Sequence, residues 1–289
     1  MNISLEEETK PEIESYETVP FSYDSQKRKS PALEELVDII KYRDLIYQLV
    51  RRDIVARYKR SMLGIAWTML QPLGMMVVMT IVFSQLFGRV DGYSAYLLSG
   101  LMAWIFFSQT TTAAIDHSVW GGTLVRRIYI PHTAFSVASV GTGVVNFILS
   151  LIPLFFILLI SNRPITWAFL FIPIPILLLT MFTLGVGLLL SSLAVRFPDI
   201  SEMYRILLQA WMYLTPIIYP SYILPEQVRP WLLYLNPMYY FILLFRVPIY
   251  DGVMPAVPLI LAATGFACVS LVVGWIYFSY QADKFAYMA

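Results

Sequence analysis

The side chains that ordinarily perform chemistry are few in this 289-residue chain, and their spacing argues against most of what they do elsewhere. His117 and His132 are the only histidines, and neither has a cysteine or second histidine at ligand spacing, so no metal site is expected. The single cysteine, Cys268, has no partner for an internal disulfide. Asp199 and Glu202 stand beside Arg196 and Arg205, a cluster that ion pairing explains better than acid–base catalysis. The chain has no Gly-Lys-Ser or Gly-Lys-Thr, so it cannot cradle ATP through a P-loop. No catalytic residue is assigned, and no cofactor is expected to bind this chain itself.

What the chain has in quantity is aromatic surface, 44 Phe, Trp and Tyr in all. Trp67, Phe83 and Phe87, with the polar Gln71 among them, fall in one apolar segment. Tyr204, Trp211, Tyr213, Tyr219 and Tyr222 fall along a later one. Aromatic faces suit the C–H faces of sugar rings, and tyrosine hydroxyls hydrogen-bond sugar oxygens. Such a lining would let a long neutral or acidic glycan slide without tight binding. The same residue types also form the interfacial belts of membrane proteins, so each aromatic has a second reading as belt or packing.

The elements that must position these residues are apolar. Six segments carry no Asp, Glu, Lys, Arg or His: Leu63–Phe87, Ser94–Ala114, Ala134–Ile160, Trp167–Val195, Ile206–Tyr219 and Val257–Ser279. The composition is 58% hydrophobic and 13% charged, against ~25% charged in soluble domains. A bilayer core needs ~20 apolar residues per helix, so the expectation is an all-α integral membrane protein with six transmembrane helices. The fifth segment is short, limited by Pro216 and Pro220, and is expected to begin nearer Met203 or to be irregular at its outer end. Without an ionisable group in the bilayer there is no pathway for a driving ion. Energy for transport must then come from elsewhere. Sixteen of the twenty Lys and Arg fall on one side of this layout, leaving Arg89, Arg163, Arg229 and Arg246 on the other. By the positive-inside rule both termini are cytoplasmic. A net charge of +1 implies no attraction to nucleic acid.

Residues 1–29 read as a disordered acidic tail, with Glu6, Glu7, Glu8, Glu12, Glu14 and Glu17 and no sustained apolar period. They are too polar for a cleavable signal peptide, so the first span is expected to direct insertion. At Ser30-Pro31 a helix-start signal appears, with Glu34 and Glu35 in its first turn. Leu33, Leu36, Val37 and Ile40, then Ile46, Leu49, Val50 and Ile54, recur at helical spacing opposite Lys41, Arg43, Arg51, Arg52 and Arg57. Residues 30–60 are thus expected as a cytoplasmic amphipathic helix lying on anionic lipid, on a partner, or both. The transmembrane domain is expected over 61–285. Its cytoplasmic loop Asp116–Pro131 carries Asp116, His117, Arg126 and Arg127 and is long for a mere turn. Seven prolines break the outer stretch from Pro220 to Pro258, yet Val228–Leu235 and Met238–Val247 are strongly apolar. These read as two short re-entrant outer helices meeting at Asn236-Pro237, between spans five and six.

The run from Arg52-Asp53-Ile54 through Arg57-Tyr58-Lys59-Arg60-Ser61-Met62-Leu63-Gly64 to Trp67, continuing into Leu70-Gln71-Pro72-Leu73, resembles the membrane subunits of ABC-2 type polysaccharide exporters, the permeases for O-antigen, capsule and teichoic acid. Gly100-Leu101-Met102-Ala103-Trp104, Tyr129-Ile130-Pro131, Arg196-Phe197-Pro198-Asp199-Ile200, Pro216-Ile217-Ile218-Tyr219-Pro220 and Leu235-Asn236-Pro237-Met238 add to the likeness, which runs from about Leu33 to Lys284. Where that family often has lysine before the Tyr/Phe-Pro step, this chain has Arg126, Arg127 and Ile128, so the charge is kept but displaced.

The resemblance implies a homodimer in the bacterial cytoplasmic membrane, docked to two ATPase subunits that hold the ATP and magnesium. It implies that Asp116–Ile130, with Asp116, His117, Arg126 and Arg127, couples to the ATPase, and that Pro31–Arg57 is an interface helix. It implies that spans one and five of both copies line the pore, placing Trp67, Gln71, Phe83, Phe87, Tyr204, Trp211, Tyr213 and Tyr219 there. Tyr58, Lys59 and Arg60 lie where a lipid-linked polysaccharide with a pyrophosphate head would enter. Two other readings remain open at this stage. One is an ABC-2 exporter of a drug or lipid. The other is a membrane-embedded glycan-processing enzyme, for which Glu226 and Asp251 are the acidic candidates.

Overall fold

The computed structural model describes residues 31–59, 61–87, 90–120 and 132–288. Among these residues every regular element is helical. The helices are α1 (Pro31–Lys41), α2 (Arg43–Tyr58), α3 (Ala66–Phe83), α4 (Tyr93–Trp120), α5 (His132–Ile160), α6 (Pro173–Arg196), α7 (Asp199–Leu214), α8 (Arg229–Tyr234), α9 (Pro237–Arg246) and α10 (Val257–Met288). Single 3-10 turns at Trp167–Phe171 and Ser221–Ile223 and a π turn at Val247–Asp251 join some of them.

Four of these are long and apolar enough to cross a bilayer: Ala66–Phe83, Thr133–Ile160, Trp167–Arg196 with its leading turn, and Val257–Gln281. The other two expected spans correspond to α4, 28 residues long but rich in Ser and Thr, and to α7, only 16 residues long. The start of α7 lies at Asp199, further upstream than the sequence suggested. Its end follows from Pro216, because the residue before a proline is pushed out of the helical region, and Thr215 is extended at φ −100°, ψ 131°. The amphipathic stretch expected over 30–60 forms two helices rather than one. Tyr42, at φ −97°, ψ 19°, breaks it.

Helix α4 is the axis of the bundle. Leu97, Leu98, Leu101, Ala103 and Phe107 have no solvent exposure at all, and α5, α6 and α9 pack around them. The broadest seam joins α6 to α10. It is closed by glycines, because small residues let membrane helices approach backbone to backbone. A Cβ on Gly274 would overlap the Gly185 carbonyl, and one on Gly185 would overlap the backbone of Ser270. Helix α2 lies on the start of α5 through Leu49, Ala134, Phe135 and Ala138. Helix α1 is held by Trp275 Nε1, which donates to the Ala32 carbonyl at 3.1 Å, and by Thr133 Oγ1, which donates to the Glu35 carboxylate at 2.6 Å.

Two helices are poorly covered. On α3 only Pro72 and Met76 are buried, while Val77, Val78, Ile81 and Val82 are exposed. On α7 the buried stripe is Tyr204, Leu208 and the partly covered Trp211, and Met203, Ile206, Leu207 and Tyr213 face outward. This amphipathic division follows from the 3.6-residue period.

Candidate functional site

The aromatics singled out from the sequence divide into two groups. Trp67 and Tyr213, each 53% exposed, stand on the open faces of α3 and α7, Tyr222 beyond α7 is 58% exposed, and Gln71 is exposed on α3. The rest are tied into the protomer. Phe83 stacks on Phe87 at 6.0 Å, and Phe87 meets Tyr93 at 5.9 Å. Tyr204 is 4% exposed, its hydroxyl 2.7 Å from Thr111 Oγ1. Trp211 packs edge-on against Trp104 and Phe107 at 6.0 and 5.4 Å. Tyr219 donates its hydroxyl to the Tyr213 carbonyl at 2.7 Å. Burying such rings leaves an open surface on α7 that is mostly aliphatic.

Beyond Leu214 the chain unwinds through Thr215–Pro220, and a set of side chains closes around its free carbonyls. Arg246, at the end of α9, is 3% exposed. It donates to the carbonyls of Pro216 at 3.2 Å and Ile217 at 3.0 Å. Its guanidinium carbon lies 3.7 Å from the Tyr96 ring centroid. Tyr93 and Tyr96 of α4 donate to the carbonyls of Ile218 at 2.8 Å and Tyr219 at 3.2 Å. A guanidinium with five fixed donors suits this task. Gly100 makes it possible, since a Cβ there would occupy the place of the Arg246 guanidinium.

Asn236 joins the short outer helices to α7. Its side-chain oxygen caps α9 by accepting from Met238 N at 3.1 Å and also accepts from Trp211 Nε1 at 2.9 Å. Its amide donates to Thr215 Oγ1 at 2.8 Å. The turn at Asn236-Pro237 read from the sequence is therefore a capped junction. The role of Arg246 escaped the sequence reading, which counted it only as an outer-side charge. The available signal was one arginine at the end of the apolar run Met238–Val247, because an ionisable residue in such a setting marks function or a dedicated partner.

At the opposite end, Lys59 caps α2 and is exposed. Tyr58 is the last residue of α2; Arg60, Arg126 and Arg127 lie outside the described residues. Asp116 and His117 belong to the last turns of α4, not to a separate loop helix. Asp116 accepts from Arg205 of α7 at 3.1 Å, and the same arginine reaches Glu202 at 3.2 Å. This bridge links the end of α4, just before residues 121–131, to one of the two poorly covered helices. Arg196 lies over the Phe197 ring at 5.2 Å. His117 Nδ1 is 2.8 Å from Ser139 Oγ on α5 and 4.0 Å from Asp53 Oδ2 on α2. The two acidic candidates for glycan processing, Glu226 and Asp251, are both exposed.

Long apolar helices wound around a buried α4, two of them left half-covered, define a multi-pass membrane protein. The chain belongs to the ABC-2 type transporter family, which it matches over residues 44–250. It is 30% identical over 241 residues to the O-antigen export system permease protein RfbA of Myxococcus xanthus, covering 82% of this chain and 91% of that one. An O-antigen export permease of Klebsiella pneumoniae is 25% identical over 214 residues, or 73% of this chain and 82% of its own length. The polysialic acid transport protein KpsM of Escherichia coli is 23% identical over 220 residues, covering 72% and 80%.

Proposed function

We propose that this chain is the membrane-spanning subunit of an ABC exporter that moves a lipid-linked polysaccharide across the bacterial cytoplasmic membrane. The observation that carries the reading is the similarity to an O-antigen export permease along 241 residues. In this reading α3, α4, α5, α6, α7 and α10 are the six spans, and both termini are cytoplasmic. Helices α8 and α9 dip into the outer leaflet without crossing. Two copies meet across the open faces of α3 and α7, and the glycan passes between them. Exposed Trp67, Gln71 and Tyr213 line that path, while Tyr204, Trp211, Phe83 and Phe87 hold its walls from behind. A mostly aliphatic wall with few polar groups holds no sugar tightly, which suits a long polymer that must keep moving.

Two ATPase subunits supply the work, with ATP and magnesium bound on them. Their contacts are α1, α2 and the segment after α4 that contains Arg126 and Arg127. The Asp116–Arg205 bridge carries motion from that segment to α7. Lys59, Arg60 and Tyr58 attract the anionic head of the lipid carrier at the inner surface, since charge-assisted hydrogen bonds are the strong ones. Arg246, Asn236, Tyr93 and Tyr96 hold the outer closure.

The test is reconstitution in vesicles of the chain with its ATPase. Export of a lipid-linked glycan that requires ATP, and stops when Lys59 and Arg60 are neutralised with topology intact, is the expected result. Translocation by the chain alone, driven by a proton or sodium gradient, refutes the reading. ATP-dependent movement of short apolar compounds without any glycan would replace it with a drug or lipid exporter.

A further inference from the structure

Between the end of α2 and the facing sides of α3, α4 and α5 lies a cavity of about 520 Å³. That is within the range of ~300–1,000 Å³ usual for small-molecule sites. It is a half-open cleft of one protomer, and Arg57, Trp67, Gln71 and Gln109 of its lining are exposed. Trp67 and Phe106 give it aromatic walls, and Gln71, Gln109, Thr142 and Ser150 give it hydrogen-bonding groups. Asp53 and Arg57 stand together at the α2 end.

Ser139, Ser150 and His117 of this lining find partners within the fold, but two other polar atoms do not. Thr142 is 7% exposed and its hydroxyl is buried without a hydrogen-bond partner among the described residues. The same holds for Asp53 Oδ2, although Asp53 Oδ1 accepts from Arg52 at 2.9 Å. Buried polar atoms are nearly always satisfied, and an exception is explained by strain, a water, an ion or a ligand. Carboxamides and hydroxyls each both donate and accept, which is the pattern that sugar hydroxyls require. An acyl chain would leave those groups unsatisfied. In the lining a phosphate would find a single arginine, Arg57, and one carboxylate, Asp53, which is itself paired with Arg52.

We propose that this cavity is a binding site for one uncharged sugar ring, stacked on Trp67 and hydrogen-bonded by Gln109 and Thr142. The inference rests on the glycan-export reading above and names a sugar site that the open path itself does not provide. A chain that slides over aliphatic walls is not discriminated by them. A site that must be filled near the inner surface selects the correct glycan before it enters. His117, which lines the same cavity, precedes the segment proposed to contact the ATPase, so occupancy is adjacent to the point where hydrolysis is triggered.

The experiment uses the complex of this chain with its ATPase in nanodiscs. Equilibrium dialysis measures binding of radiolabelled octyl glycosides (gluco, galacto, manno and N-acetylglucosaminyl), with octyl phosphate and octanol as competitors. At least one glycoside is expected to bind saturably, and the two competitors to be at least 10-fold weaker. Thr142→Val, which keeps the side-chain shape, and Gln109→Leu are each expected to lower that affinity 5- to 10-fold at unchanged melting temperature, while Thr142→Ser retains it. Failure of every glycoside to bind, equal competition by octanol or by octyl phosphate, or unchanged affinity in Thr142→Val overturns the proposal. Export of lipid-linked glycan by the wild-type complex is measured alongside. Export without glycoside binding removes the cavity site alone. Glycoside binding without glycan export removes the export reading and leaves the site standing.

Discussion

Replacing Gly274 by alanine tests whether the α6–α10 seam is the rigid frame against which the half-covered helices move. An alanine Cβ at this position would lie 2.8 Å from the Gly185 carbonyl carbon and 2.9 Å from its Cα. Carbon atoms pack at about 3.5–4.0 Å, so the two helices must separate by roughly 1 Å. No flexible side chain can yield instead, since the obstacle is backbone. A gap of 0.5–1 Å forfeits about a quarter to a half of each dispersion contact along the seam, and overpacking of this kind costs about 1–3 kcal/mol. Taking about 3 kcal/mol and returning about 1 kcal/mol for alanine's better helix propensity leaves a net loss of about 2 kcal/mol. By the scaling for domains of this size, the melting midpoint should fall by roughly 4–8 °C. Gly265, on the same helix, has nothing within 4 Å of its added Cβ, and Gly265→Ala should leave the midpoint unchanged or slightly raised. The assay is thermal unfolding of both purified variants in one detergent, followed by near-ultraviolet circular dichroism. If the two variants melt within a degree of each other, close backbone approach is not what holds this seam.

Three further predictions concern the closure and its link to the inner face. Arg246→Met removes two hydrogen bonds from a charged donor, each worth about 1.5–3 kcal/mol, though the lost burial of charge offsets part of this. Amide exchange at Ile217 and Ile218 should accelerate at least tenfold, and an unchanged rate would show that Tyr93 and Tyr96 suffice. Asn236→Ala loses a helix cap, about 1 kcal/mol, and two side-chain bonds of about 1 kcal/mol each, so a stability loss of about 2–3 kcal/mol is expected in chemical denaturation. Asp116 and Arg205 are 35% and 48% exposed, so a double-mutant cycle should give a coupling of no more than about 1 kcal/mol in stability. In the proposed exporter, Asp116→Ala should nevertheless raise the ATP consumed per glycan exported. A normal ratio would remove the bridge from the coupling path.

Much of the architecture is legible along the chain because membranes impose it locally. Six charge-free runs mark α3, α4, α5, α6, α7 and α10, and Pro216 ends α7 through a clash with its own neighbour. The motif from Arg52 to Leu73 points to the ABC-2 family, which the match over residues 44–250 establishes. Asn236-Pro237 announces a turn, and the structure puts a helix on each side of it and caps the second with the Asn236 side chain.

The sequence by itself thus determined which segments are apolar helices and which family they belong to, since both depend on composition and local spacing. Tertiary structure alone decided which aromatics are walls and which are surface. Tyr204 and Tyr213 are alike in type and share α7, yet one is 4% exposed and the other 53%. It alone brought Arg246 of α9 to the carbonyls of Pro216 and Ile217, across 30 and 29 residues. It also brought Thr142 and Gln109 to a common cavity from different helices. Such pairings depend on how helices are rotated and how closely glycines such as Gly100 let them approach, and no local pattern encodes either quantity.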